Sequence, residues 1–197
     1  MTQMIEEEIG NFIYHAKFWS IALNNYKIVE EIEERCRKRR AKGIRTNEEI
    51  DDECLDNAKI EKHGLITIIF CALTVEAFIN NYGIELMSKS YLDHYLDKLD
   101  LLSKWIIIPR LIKGRQIDTG CQAIELLRKL ISLRNKYVHY KTTKKRVSEL
   151  RWDEDWVTFE HAKSSVSAVR ELLTELKKID NDLDIKWFDE APIDPFA

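Results

Sequence analysis

The chain has 197 residues, 45% of them hydrophobic and 33% charged, with a formal net charge of −3. That length suits one folded unit with a sizeable core, and the charge balance excludes a polycation that grips nucleic acid in bulk, leaving only local basic patches. Six glycines and three prolines are few breakers, so long helices are expected. Cys36, Cys54, Cys71 and Cys121 lack zinc-site spacing and read as reduced thiols of a cytoplasmic protein.

The first ten residues have neither a basic region nor an apolar run, so no signal peptide is expected. Residues 3–40 read as one long helix. Ile5, Ile9, Phe12, Ile13, Ala16, Trp19 and Leu23 recur at helical spacing. Glu6, Glu7 and Glu8 at its start and Arg35, Arg37, Lys38, Arg39 and Arg40 at its end complement the helix dipole. The basic run could touch RNA phosphates, but solvated, dipole-compatible charge is the simpler account. Gly43 stops the helix.

Thr46 and Glu49 form a capping box that opens an acidic helix over about 47–62. At Gly64 two courses stay open, a break or a nearly straight run onward. The next helix, about 65–87, is apolar almost all round apart from a thin polar strip of Thr67, Thr74, Asn81 and Glu85. It is expected at the centre of a bundle. Its most apolar run, Leu65 to Val75, falls short of the ~20 residues that span a bilayer, so a core helix and no membrane contact are expected. Glu76 sits on an apolar face, with Asn80 one turn later.

Ser90 is expected to cap a short helix over 91–99. Residues 101–109, containing Trp105, read as a packed helix or turn, and Pro109, Gly114 and Gly120 bracket an irregular connection. A further helix is expected over 119–140. Then come a basic loop, Lys141 to Arg146, a segment with Trp152 and Trp156, and a last helix over 158–180 with an apolar stripe through Ala162, Val166, Val169, Leu172, Leu173 and Leu176. Trp187 and Phe188 are expected to dock the acidic tail onto the body. No repeat or domain boundary is evident. The whole is expected to be an all-α compact bundle, residues 1–197 forming one domain, with a core at about 60–180, the long N-terminal helix packed on it and a tail from 181.

The sharpest chemistry lies in Leu130–Lys141. At about 100° per residue, Leu126, Leu127, Leu130, Ile131, Leu133, Tyr137 and Val138 share one apolar arc. Arg134 falls near its middle, where a guanidinium needs a partner, and Glu76 on the central helix is the candidate. A core ion pair with no chemistry is one reading. The other rests on Asn135 and His139, four apart on one face beside Arg134. An Arg to stabilise a phosphorane, a His to move protons and an amide to orient them suit metal-free RNA cleavage. His15, His63, His94 and His161 are scattered, so no metal site and no cofactor are expected. Nucleotide-binding glycine loops and hydrolase signatures are absent.

The stretch Arg134-Asn135-Lys136-Tyr137-Val138-His139 resembles the R-N-x-x-x-H form of the motif of HEPN domains, and Ala72–Asn80 is similar to the segment that carries a polar residue in many of them. The resemblance covers about residues 60–180. It implies a compact helical bundle that dimerises so that two motifs meet in a basic cleft. Arg134 would hold the scissile phosphate, His139 would act as acid or base, and Asn135 and Glu76 would support them. Lys136, Lys141, Lys144, Lys145 and Arg146 would contact RNA phosphates, or else form a solvated loop. Arg134 and His139 point about 140° apart on an ideal helix, so a second copy would complete the site. The resemblance further implies a toxin or anti-phage effector with an antitoxin or defence-system partner. In members neutralised by adenylylation a Tyr lies two positions after the His, whereas here Lys141 holds that place and Tyr140 precedes it. A non-catalytic module that binds RNA or nucleotide, or docks a partner, is the alternative.

Overall fold

The computed structural model describes residues 14–43, 46–139 and 156–189. Helix α1 runs Tyr14–Ala41 and α2 runs Asn47–Leu86. A short α3, Lys89–Tyr91, passes into a π-helical turn at Leu92–Leu96. Then come α4, Leu101–Lys113, α5, Gln122–Val138, α6, Phe159–Ile179, and a last turn α7, Lys186–Asp189. No strand occurs among the described residues, and the architecture is an all-α bundle.

The long pair α1–α2 frames it. The two helices pack in an antiparallel register. Arg35 meets Asp56, Asn25 meets His63 and His15 meets Phe78. The buried line of α1 passes through His15, Trp19, Ala22, Tyr26, Val29, Ile32 and Cys36, every step three or four residues. The expected stripe is therefore rotated slightly: Trp19 lies in the seam, while Ala16 and Leu23 flank it half-buried. The part of that stripe before residue 14 lies outside the described residues.

The capping box at Thr46 forms as expected. Its hydroxyl accepts from the Glu49 amide at 3.2 Å, and Glu49 accepts from the Thr46 amide at 3.1 Å. From there α2 runs 40 residues without a break, about 60 Å at a helical rise. Gly64 does not interrupt it. A glycine costs a helix interior about 1 kcal/mol, but Ile60, Ile68, Cys71 and Val75 are buried on either side, and their packing outweighs that cost. Gly64 also admits a neighbour, since a Cβ there would lie 2.7 Å from Cγ1 of Val157. Gly64→Leu is therefore expected to cost about 2 kcal/mol through overpacking, read as a lower urea midpoint with unchanged slope.

The central position expected for the second half of α2 is correct, with α1, α4, α5 and α6 all packing on α2. Its polar strip needs correction. Thr67 and Thr74 are fully buried, because each hydroxyl donates back to the carbonyl four residues earlier, His63 at 2.9 Å and Phe70 at 2.7 Å, and so needs no water. Only Asn81 and Glu85 keep an outward pairing, at 2.7 Å. By length and composition α2 is also apolar enough to cross a membrane, and half of that stretch is buried inside the fold.

Two further boundaries differ from the sequence reading. Ser88, not Ser90, caps the short helix after α2, its hydroxyl accepting from the Tyr91 amide at 3.3 Å. It does so from a left-handed φ of 133° that serine rarely adopts. Helix α4 runs through Pro109 to end at Gly114, whose φ of 67° suits a glycine cap. The segment 101–109 is thus a helix, pinned to α2 by the Trp105 indole donating to the Val75 carbonyl at 3.2 Å.

The described part of the tail, through residue 189, docks as expected. Trp19 Nε1 donates to the Phe188 carbonyl at 3.2 Å and its ring stacks on Phe188. Trp187 packs edge-on against His15, centroids 4.6 Å apart. His15 is only 5% exposed, and burial lowers its pKa to about 4. The unfolded chain then binds the proton more readily, so stability is full above about pH 6.5 and declines down to about pH 4. The loss corresponds to about 3 kcal/mol. His15→Phe should flatten this slope in urea titrations at pH 7 and pH 4.5.

Candidate functional site

Helix α5 carries the motif. Ala123, Ile124, Leu127, Leu130 and Leu133 are its buried residues, and they seat it chiefly against α6 and also against α2 and α4. The helix ends at Val138, earlier than expected. His139 is the C-cap, with φ −104° and ψ 32°, and its amide still donates to the Asn135 carbonyl at 3.0 Å. The ideal-helix geometry between Arg134 and His139 therefore does not apply, because the backbone leaves the helix at His139.

Burial along this end departs from the expected arc. Val138 is 48% exposed, and Tyr137 is half-buried. Arg134 is half-buried rather than enclosed, at the boundary of the apolar face. Its Nη1 donates to Asn135 Oδ1 at 3.1 Å. Asn135, Lys136 and His139 are all exposed, and the Lys136 ammonium lies 5.2 Å from the centre of the Tyr137 ring. Lys141, Lys144, Lys145 and Arg146 lie outside the described residues.

The expected Glu76–Arg134 ion pair does not form. Glu76 is half-buried on α2, and among the described residues no carboxylate reaches Arg134. Nor does Asn80 join them. It accepts from Lys104 Nζ at 3.1 Å. Lys104 is 4% exposed, a buried lysine on α4 that the sequence pattern did not flag, and its carboxylate partner is Asp97 at 3.9 Å. The fold thus brings Arg134 and Asn135 together at the end of α5, places His139 in the adjoining cap, and leaves Glu76 apart.

The buried charges sit elsewhere. Asp56 on α2, 5% exposed, accepts from Arg35 Nε at 3.2 Å and Nη2 at 2.9 Å, and from Arg39 Nη2. Arg35 first, then Arg39, holds its carboxyl below the ordinary carboxylate range against the opposing pull of burial. Arg40 pairs with Glu33 and Glu53, and Lys38 with Glu34. The basic run is therefore largely neutralised within the protein. Asp180, 4% exposed, accepts from Tyr82 at 3.0 Å and Lys113 at 2.9 Å. Burial pushes its pKa up, but these two bonds together hold it low, tying the ends of α2, α4 and α6.

The remaining histidines take structural contacts. His63 Nδ1 meets Asn25 Oδ1 at 2.8 Å, with its pKa lowered by burial and then by Lys62. His94 Nδ1 donates to the Ser90 carbonyl at 2.8 Å. His161 accepts from the Thr158 amide at 3.3 Å in the capping box of α6. Among the described residues no three His, Cys, Asp or Glu side chains converge as a metal site would require. No family model, curated protein or solved structure matches this chain.

Proposed function

We propose that the chain is a metal-independent endoribonuclease of HEPN type, acting as a toxin or anti-phage effector in the cytoplasm. The observation that carries this reading is the state of Arg134. A guanidinium at the end of an amphipathic helix, half-buried and held by the adjacent Asn135 at 3.1 Å, has no described carboxylate to take its charge. A phosphodiester suits such a group, because the planar fork donates two parallel hydrogen bonds to phosphate oxygens.

His139 in the exposed cap supplies proton transfer. In the proposed reaction the ribose 2′-OH loses its proton to a base and its oxygen attacks the adjacent phosphorus. The P–O5′ bond then breaks, the departing oxygen takes a proton from an acid, and a 2′,3′-cyclic phosphate remains. Arg134 carries the charge on the phosphorane, and Asn135 orients it. Acid and base are two roles, and one imidazole in one state fills only one, so a homodimer pairing two copies of His139 is part of the reading. Exposed Lys136 is a phosphate contact, with Lys141, Lys144, Lys145 and Arg146 extending it. Glu76 receives no role.

The test is incubation of the purified chain with total RNA in EDTA, followed by mapping of cleaved 3′ ends. The expected result is 2′,3′-cyclic phosphate termini. No cleavage of any RNA, with retention of RNA that Arg134→Ala abolishes, would instead identify a non-catalytic RNA-binding module. No cleavage and no retention would sink both readings.

A further inference from the structure

The C-terminal part of α1, the N-terminal part of α2 and the residues entering α6 line an open cavity of about 550 Å³, within the size range of small-molecule sites. Its apolar lining is anchored by Ile60 and Val157, each 5% exposed. Val157 sits there because Gly64 of α2 leaves the space its side chain occupies. The rings of Trp156 and Phe159 complete the apolar wall and are only half-covered.

The polar lining is unbalanced. Among the described residues, three carboxylates, Glu33, Glu53 and Glu61, line it with one guanidinium, Arg40. Arg40 bridges Glu33 at 3.3 Å and Glu53 at 3.4 Å, so its charge is already shared between α1 and α2. Glu61, half-buried one helical turn beyond Asn57, has no described cation within ion-pairing distance. An anionic ligand would meet repulsion here. A cation with a flat apolar body would satisfy both kinds of wall.

We propose that this cavity binds an organic cation, a protonated amine carried on an aromatic ring, with the ammonium on Glu61 and the ring against Trp156 and Phe159. Ring-face attraction and carboxylate pairing act together in such a site. The proposal stands independently of the ribonuclease reading, because it uses no residue of α5 and selects the opposite ligand charge.

Cys54 lines the same cavity and is exposed, whereas Cys36 and Cys71 are buried and Cys121 is half-buried. Its alkylation by iodoacetamide, followed by peptide mass spectrometry, therefore reports occupancy. Tryptamine, indole and indole-3-propionate present one ring with a positive, a neutral and a negative character. Tryptamine is expected to slow Cys54 alkylation about threefold at about twice its dissociation constant, when only a third of the sites remain empty. Indole should act only at higher concentration, and indole-3-propionate should not act. Glu61→Gln should erase the advantage of tryptamine over indole, and Phe159→Leu should weaken both. The charge series on the wild-type chain decides the matter even where a variant does not fold. Equal protection by all three compounds, stronger protection by the anion, or none by tryptamine up to about 10 mM, weaker than any useful affinity, overturns the proposal.

Discussion

His139→Ala is expected to lower the rate of RNA cleavage by about 10²–10⁴-fold, the range for removal of a general acid or base. The fold should not change. His139 is exposed, and its structural contact is its backbone amide to the Asn135 carbonyl, which alanine keeps. The unfolding midpoint should therefore move by less than about 0.5 kcal/mol equivalent. Arg134→Ala is expected to cost about 10²–10³-fold, as for loss of one group that stabilises the developing charge. Arg134→Lys should not restore activity, because an ammonium lacks the planar fork. Mixing the two alanine variants should not restore the wild-type rate, because a mixed dimer keeps one His139 where acid and base require two. A purified His139→Ala protein that cleaves at the wild-type rate would remove His139 from the chemistry.

Asp56→Ala is expected to be the most damaging single change to stability away from the apolar core, at about 3 kcal/mol, the lower end of the range for breaking a buried ion pair. The lower end applies because Arg35, one of its partners, is 53% exposed and returns to water, while Arg39 is 11% exposed and is left enclosed. The pH dependence has a definite sign. The folded pKa of Asp56 lies below its unfolded value, so the contribution is present above the ordinary carboxylate pKa near 4. It disappears as pH falls through the lower folded value. The wild type should thus lose this increment only below about pH 4, beneath the window in which His15 acts. Replacing Asp56 and Arg39 together with apolar residues should recover much of the loss, as measured by a double-mutant cycle. A cost below about 1 kcal/mol for Asp56→Ala would show that the pair behaves as a surface contact.

These two expectations concern residues that the sequence treats very differently. The motif at Arg134–His139 was legible because it is contiguous, with one charged residue breaking an apolar periodicity. Its burial was not. Ideal rotation put Arg134 in mid-arc, whereas the helix end at Val138 and the half-open surroundings leave it at the boundary. The pairing with Glu76 failed for the same reason. Two misplaced charges on two apolar helices invite each other only if the helices cross where both reside, and no property of either helix sets that crossing.

Asp56 was hidden by its company. It lies in an acidic stretch beside Asp51, Asp52 and Glu53, and nothing local separates a buried carboxylate from exposed ones. The antiparallel register of α1 on α2 selects it, bringing Arg35 across from 21 positions away. Asp180 and Tyr82 are 98 apart, and Lys104 reaches Asn80 across two helices. His15 follows the same rule, buried because α2 and the tail close over it with Phe78 and Trp187.

Local chemistry along the chain determined the helices, the capping boxes at Thr46 and the start of α6 at Thr158, the glycine stop at Gly114 and the docking aromatics of the tail. Each depends on residues within about one helical turn, or on the bulk apolar character of a segment. The tertiary structure alone decided that α2 is one unbroken helix, which carboxylates are buried, that Arg134 is not neutralised by Glu76, and that a cavity lies between α1, α2 and the entry to α6. Those outcomes depend on how helices pack against one another. Packing registers surfaces that are distant in sequence, so no single stretch of the chain contains them.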